Sequence, residues 1–279
     1  MKIAEILELE TITLVEPTFS DLIYPDMDGL MVTTSGKAGK ILVDQDENPV
    51  LFAQGDEEGQ WAGCVTIFRE PSYQLIERFE LFEWEMYQEE ADTILDAVRA
   101  YYSILLSNTT QPGPDDLNPS RVQSIQTLIE RTVGIEREGV CLDCCCGTGV
   151  GSMVMEQQGM SVLAYDNDES LLVRGMKEGR LRPERTMWID GRMISRFTKK
   201  KADLTCGFMI GEIHSFNAHI WQEIVTAACM VSDRVLFTTG TEAEIQAVQE
   251  WVCQAGKKAE VWESDADPIY DRWICYADN

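Results

Sequence analysis

The stretch that most constrains this chain is Val140 to Gly149, VCLDCCCGTG. Its first half is nearly continuous in apolar residues, as a strand buried on both faces must be. Its second half carries Gly147 and Gly149, residues that let a backbone turn sharply or come close to a ligand. Helical spacing follows at Gly151–Gln158, so the run reads as strand, turn and helix, the opening of a βαβ unit. The alternation continues downstream. Strand-like runs at Val162–Asp166, Thr186–Ile189, Leu204–Phe208 and Arg234–Thr238 are separated by helical patterns at Ser170–Lys177, Ala218–Val231 and Glu242–Ala255. Ala259–Trp262 and Trp273–Tyr276 add two further strand-like runs. The expected fold class is α/β, a Rossmann-like and mostly parallel sheet flanked by helices.

Upstream the style differs. Residues 108–119, NTTQPGPDDLNP, hold three prolines, a glycine and two aspartates, and mark a boundary. It divides the chain into an N-terminal part, 1–114, and a second part, 115–279. Pro119 suits the first turn of a helix, whose apolar face is Val122, Ile125, Leu128 and Ile129. Before the boundary, Ile12–Val15, Leu30–Thr33, Lys40–Val43, Val50–Ala53 and Cys64–Phe68 read as short strands. Asp44–Asn48 reads as a hairpin loop. Phe79–Tyr87 fits a strand or a helix, and Glu89–Leu106 has helical spacing. The N-terminal part is expected to be a smaller, mostly antiparallel α+β domain, and it holds no motif that points to catalysis.

Charge narrows the partners. The net charge is −25, with 22 acidic against 6 basic residues in 1–114 and 26 against 17 in the remainder. Both parts repel a phosphate backbone, so no nucleic-acid partner is expected. No apolar run reaches the ~20 residues of a membrane span. Met1–Glu10 lacks the basic start of a secretory signal. These features predict no membrane partner and a cytoplasmic location. The nine cysteines are odd in number. Cys144, Cys145 and Cys146 are consecutive, and neighbours on a strand point to opposite faces, so no metal site is expected.

Three carboxylates fall where strands end: Asp143, then Asp166 followed by Asn167, then Asp190 followed by Gly191. Open α/β sheets bind ligands beyond the carboxyl ends of their strands, and a carboxylate there can accept ribose hydroxyls. Each residue also has a plainer reading. Asp143 can fix a turn, Gly147 and Gly149 can merely be flexible, and Asp166 and Asp190 can be solvated strand ends. The dinucleotide fingerprint G-x-G-x-x-G needs glycine at 145, 147 and 150, where Cys145, Gly147 and Val150 stand, which disfavours a nicotinamide enzyme.

The run Cys141 to Gly149 resembles the first motif of the class I S-adenosylmethionine-dependent methyltransferases, h-h-D-h-G-C-G-T-G, departing only at Cys145. The resemblance implies S-adenosylmethionine as cofactor, held by Asp143, Cys145, Gly147, Gly149, Asp166, Asn167, Asp190 and Gly191. Asp143 would contact the methionine end, Asp166 the ribose and Asp190 the adenine amine. It also implies an active-site loop with Glu212 and His214 facing the methyl acceptor, as base or as positioning groups. The acceptor expected is a neutral or cationic small molecule, or a protein. Cys145, and Val231-Ser232-Asp233 in place of a Pro-Gly-Gly-like turn, leave an alternative, a non-catalytic binding or assembly module with the same fold.

Overall fold

The structure is a computed structural model that describes residues 2–32, 36, 38–81, 83–115, 117–134, 139–267 and 269–278. The chain forms two compact units, Met1–Leu105 and Leu106–Asn279. The division falls upstream of the proline-rich segment read as a boundary. Residues of that segment belong to the second unit: the Gly113 N–H donates to the Ser170 carbonyl at 2.8 Å, and Arg180 pairs with Asp115 at 2.8 Å.

In the first unit the elements run α1 (Ile3–Ile6), β1 (Thr13–Leu14), α2 (Asp28–Val32), β2 (Ala38–Val43), β3 (Pro49–Gly55), β4 (Trp61–Val65), α3 (Tyr73–Glu80), β5 (Glu83–Gln88) and α4 (Ala91–Thr109), whose last residues continue into the second unit. The sheet order is β1-β4-β3-β2-β5. The three central strands pair antiparallel, but both edge strands pair parallel, so the sheet is mixed rather than mostly antiparallel. Leu30–Val32, expected as strand, is helical, and Thr33 lies outside the described residues. Only Asp28 and Met31 of that helix are buried, the one-per-turn spacing of a helix and not the alternation of a strand. Phe79–Tyr87 divides between the end of α3 and β5. Met31, Phe52, Cys64, Leu75 and Phe79 form a core beneath α2 and α3.

Inside this unit lies a buried ion-paired network. Arg69 pairs with Glu16 and Asp28, both at 2.8 Å, and all three side chains are almost fully buried. The Arg69 guanidinium also donates to the Leu22 carbonyl, and the Val65 N–H donates to Glu16.

The second unit contains α5 (Pro119–Thr132), β6 (Val140–Cys144), α6 (Val150–Gln157), β7 (Ser161–Asp166), α7 (Glu169–Lys177), β8 (Thr186–Trp188), α8 (Ile194–Phe197), β9 (Ala202–Gly207), α9 (Ala218–Met230), β10 (Ser232–Thr239), α10 (Glu242–Gln254), β11 (Lys258–Glu263) and β12 (Trp273–Asp278). Capping follows the sequence chemistry. Asn118 caps α5 ahead of Pro119, Asp168 caps α7, and Thr241 caps α10. The seven strands are ordered β11-β12-β10-β9-β6-β7-β8, parallel except for β12. This is the Rossmann-like, mostly parallel sheet flanked by helices. One apolar cluster packs α5 and α6 on the sheet, and another packs α9 and α10. From β6 the chain moves outward to β7 and β8, then returns to β9 on the other side. The direction of winding therefore reverses between β6 and β9, and the crevice beyond their carboxyl ends is where such sheets take ligands.

Candidate functional site

Among the described residues, only Glu8, Glu47, Cys145 and Met209 are non-glycine residues with positive φ. Two of these four follow the neighbouring strands β6 and β9, at the reversal point. Cys145 has φ 55° and Met209 φ 52°. Left-handed backbone costs an L residue free energy and concentrates where a site needs a special chain path. Met209 is held there from outside: its N–H donates to Thr238 Oγ1 at 2.7 Å. Thr238 Oγ1 in turn donates to buried Asp271, which pairs with Arg121 of α5 at 3.1 Å.

The turn after β6 is glycine-rich for local steric reasons. Gly149 has φ 79°, and a Cβ there would lie 2.5 Å from Leu181. At Gly147, with φ 53°, a Cβ would meet only Leu171, at 3.9 Å. Gly151 lies against Phe208 and the Asp143 carboxylate, so a third glycine at two-residue spacing belongs to the same construction. Arg180, itself buried, donates to the Thr148 carbonyl at 2.9 Å and pins the turn.

Asp143 is 1% exposed, and Ser152 donates to it through Oγ, at 2.6 Å, and through its backbone N–H. Burial pushes its carboxyl up to about 6, with the Ser152 bonds opposing. Asp166 accepts the Gly147 N–H on one oxygen and the Asp168 N–H on the other, both at 2.8 Å. Burial raises its pKa too, and the two backbone bonds offset part of the rise. Each carboxylate oxygen has two acceptor positions, so Asp166 keeps capacity for further donors. Neither Asp143 nor Asp166 forms an ion pair with a described residue.

The remaining expected residues are placed as follows. Asn167 is exposed, and its carbonyl accepts the Trp188 indole N–H at 3.1 Å. Asp190 stands just beyond β8, but Arg192 grips its carboxylate, which holds its pKa below the usual range. Gly191 is buried against Ile224 and Tyr165. Cys145 is half-buried, with its Sγ 3.8 Å from that of Cys144, and that contact together with burial raises its pKa. Glu212 and His214 are exposed on the loop between β9 and α9. The Asn217 amide closes this loop by donating to the Glu212 carbonyl at 2.7 Å, and its carbonyl oxygen accepts the His214 N–H at 2.9 Å. Glu244 of α10 accepts the Ile213 N–H. The residues that sequence reading missed are Ser152, Arg180, Met209 and the Arg121–Asp271–Thr238 chain. Only the glycine spacing at 147, 149 and 151 signalled any part of this.

The described residues contain no helix long and apolar enough to cross a membrane. No protein-family model and no curated protein sequence matches the chain. Solved structures similar to it include a magnesium protoporphyrin IX methyltransferase from Synechocystis with bound SAM, 15% identical over 68% of this chain and 98% of that one, TM-score 0.45. A ribosomal protein methylase from Lactobacillus delbrueckii is 14% identical over 58% and 79%, TM-score 0.44. A 16S rRNA methyltransferase from T. thermophilus is 15% identical over 60% and 44%, TM-score 0.43. Likenesses of this size assign neither activity nor acceptor to this chain, and they give no support to the expected exclusion of nucleic acid. The fold assignment rests on the strand order itself.

Proposed function

We propose that the second unit binds S-adenosylmethionine beyond β6, β7 and β8 and that the protein is a methyltransferase. One observation carries this reading: two buried carboxylates, Asp143 at the end of β6 and Asp166 at the end of neighbouring β7, have no ion pair among the described residues. A dinucleotide would bring the negative charge of its pyrophosphate into that place. A sulfonium cofactor brings positive charge, which would relieve the cost of keeping Asp143 ionised. The donor set also suits the group. Asp143 would face its cationic end, the free acceptor positions of Asp166 would take ribose hydroxyls, and Gly147 leaves room for close approach. Asp190 would serve the base only by sharing its carboxylate with Arg192.

Bound there, S-adenosylmethionine supplies a methyl group already activated as a sulfonium. The chain then has to align the acceptor and exclude water. Glu212 and His214 stand on the loop beyond β9 as groups that could hold a cationic acceptor or take its proton. The acidity of both units favours a neutral or cationic small molecule, or a protein, over a polyanion.

Calorimetry of the full chain with S-adenosylmethionine, S-adenosylhomocysteine and NAD tests the reading. The first two should bind and NAD should not. Asp166→Ala should weaken binding by about 1.5–3 kcal/mol per charged hydrogen bond lost. No heat from either adenosyl ligand at millimolar concentration would remove the proposal. Binding without methyl transfer to any acceptor screened would favour the non-catalytic module instead.

A further inference from the structure

We propose that the open edge of the five-stranded sheet at β5 docks an extended lysine- or arginine-rich segment of another protein. This inference concerns the first unit and stands whether or not the second unit transfers methyl groups.

β5 is an edge strand. It pairs with β2 on one side, and no described strand pairs with its other side. The Glu89 N–H just beyond it donates to the Val43 carbonyl of β2 at 3.2 Å. In a parallel ladder the backbone groups of successive residues face opposite sides. Those of Trp84, Met86 and Gln88 therefore point away from the sheet and are free to pair with another strand. Edge strands are normally kept short, charged or covered, because they recruit other chains. This one carries Glu83 and Glu85 but alternates them with exposed apolar side chains. Trp84 is 45% exposed, Met86 59%, Leu81 78%, and Tyr73 of α3 73%. A free edge with exposed aromatic and aliphatic side chains on the same segment is the construction used to recognise extended peptides by strand addition.

Charge selects the occupant. Residues 70–92 hold eight acidic side chains against one basic, Arg78. Glu85 is neutralised by Lys40 at 2.8 Å, but Glu77, Glu80 and Glu83 form no ion pair with a described residue. A second copy of this chain pairing edge to edge would set these carboxylates against their own kind, which destabilises cross-strand contacts. An extended segment carrying Lys or Arg at alternate positions would set those cations beside Glu83 and Glu85 on one face of the sheet, while its intervening apolar side chains cover Trp84 and Met86 on the face where α3 packs. Backbone pairing would supply affinity, and the alternation would supply selection.

The probe is a short labelled peptide alternating lysine and valine, titrated into the full chain by fluorescence anisotropy at physiological salt. Hydrogen exchange is followed on the wild-type protein in parallel. The expected result is saturable binding with slowed exchange at the amides of Trp84, Met86 and Gln88. The double variant Trp84→Ala/Met86→Ala should weaken binding at least about tenfold, as loss of a central apolar anchor does. A peptide of equal charge interrupted by prolines should fail to bind, since proline cannot donate to a ladder. Equal binding of the proline peptide would show mere charge attraction and overturn the proposal. So would protection confined to other segments, or no binding at all. Because the exchange measurement needs no variant, a misfolded mutant cannot rescue or sink the inference.

Discussion

The two units bury acidic side chains in opposite ways. In the first, Glu16 and Asp28 are paired with Arg69, and the Arg69 guanidinium is further used by backbone carbonyls. The positive charge needed to keep these acids ionised is built into the core. In the second, Asp143 is buried as deeply and Asp166 nearly so, yet neither has an ion pair among the described residues, and both are bonded by a hydroxyl or by backbone N–H groups. Arg121, itself paired with Asp271, lowers the Asp143 pKa only in part; the rest of the charge comes from outside or is replaced by a proton. A network that carries its own cation reads as architecture, while buried carboxylates without an ion pair read as a place prepared for a ligand.

The largest test of this contrast is Arg69→Met. It leaves two buried carboxylates unpaired and should cost about 3–5 kcal/mol in denaturant unfolding of the first unit. A cost below about 1 kcal/mol would mean that these ion pairs do not hold the first unit together. The second test has the opposite sign. Burial pushes the carboxyl of Asp143 up to about 6 in the folded protein, above the ordinary aspartate value of about 3.9. A raised carboxyl contributes stability fully below the unfolded value and loses it as pH rises through the folded one. At pH 7 the ionised, buried group therefore works against folding by up to about 3 kcal/mol. Asp143→Asn should be more stable than wild type at pH 7, and the difference should vanish towards pH 4. Equal stability across that window would place the needed cation inside the protein after all. The smallest effect is Cys145→Gly. It relieves a left-handed residue, worth about 1–2 kcal/mol, against glycine's extra chain entropy of about 0.5–1 kcal/mol. The net gain should be under about 1 kcal/mol, read as a small rise in melting temperature. A fall would show that the thiol packing outweighs the backbone strain.

Most of the second unit was legible because its strands are short apolar runs bounded by glycine and charge. Val140–Cys144 and Val162–Asp166 appear where expected, with one residue added to the second. The carboxylates at strand ends were legible for the same reason: a charge that ends an apolar run is conspicuous. What pairs with them was not. Arg192 neutralises Asp190 from two residues away, and the sequence offers no reason to prefer that over a free carboxylate. Met209 gives no signal at all, since its left-handed backbone is imposed by Thr238, Asp271 and Arg121 from three distant segments. The helix at Asp28–Val32 was misread because Leu30, Met31 and Val32 are apolar in a row, although Leu30 is 44% exposed and only Met31 of the three is buried. The Glu16–Asp28–Arg69 network was missed because it joins residues from separate segments.

The order of the sheet also bears on how the protein is made. β12 follows β11 in the chain but lies between β11 and β10, and β11 pairs with nothing else among the described strands. While a ribosome is still translating past residue 263, neither strand can be added, because β11 has no partner to join without β12. During that interval β10 presents Val235, Leu236 and Phe237 on an unpaired edge, three residues that are fully buried once folding is complete. Nascent chains with such an edge are prone to capture by other unfinished chains. The closing hairpin thus makes the segment after residue 263 the one that seals this sheet.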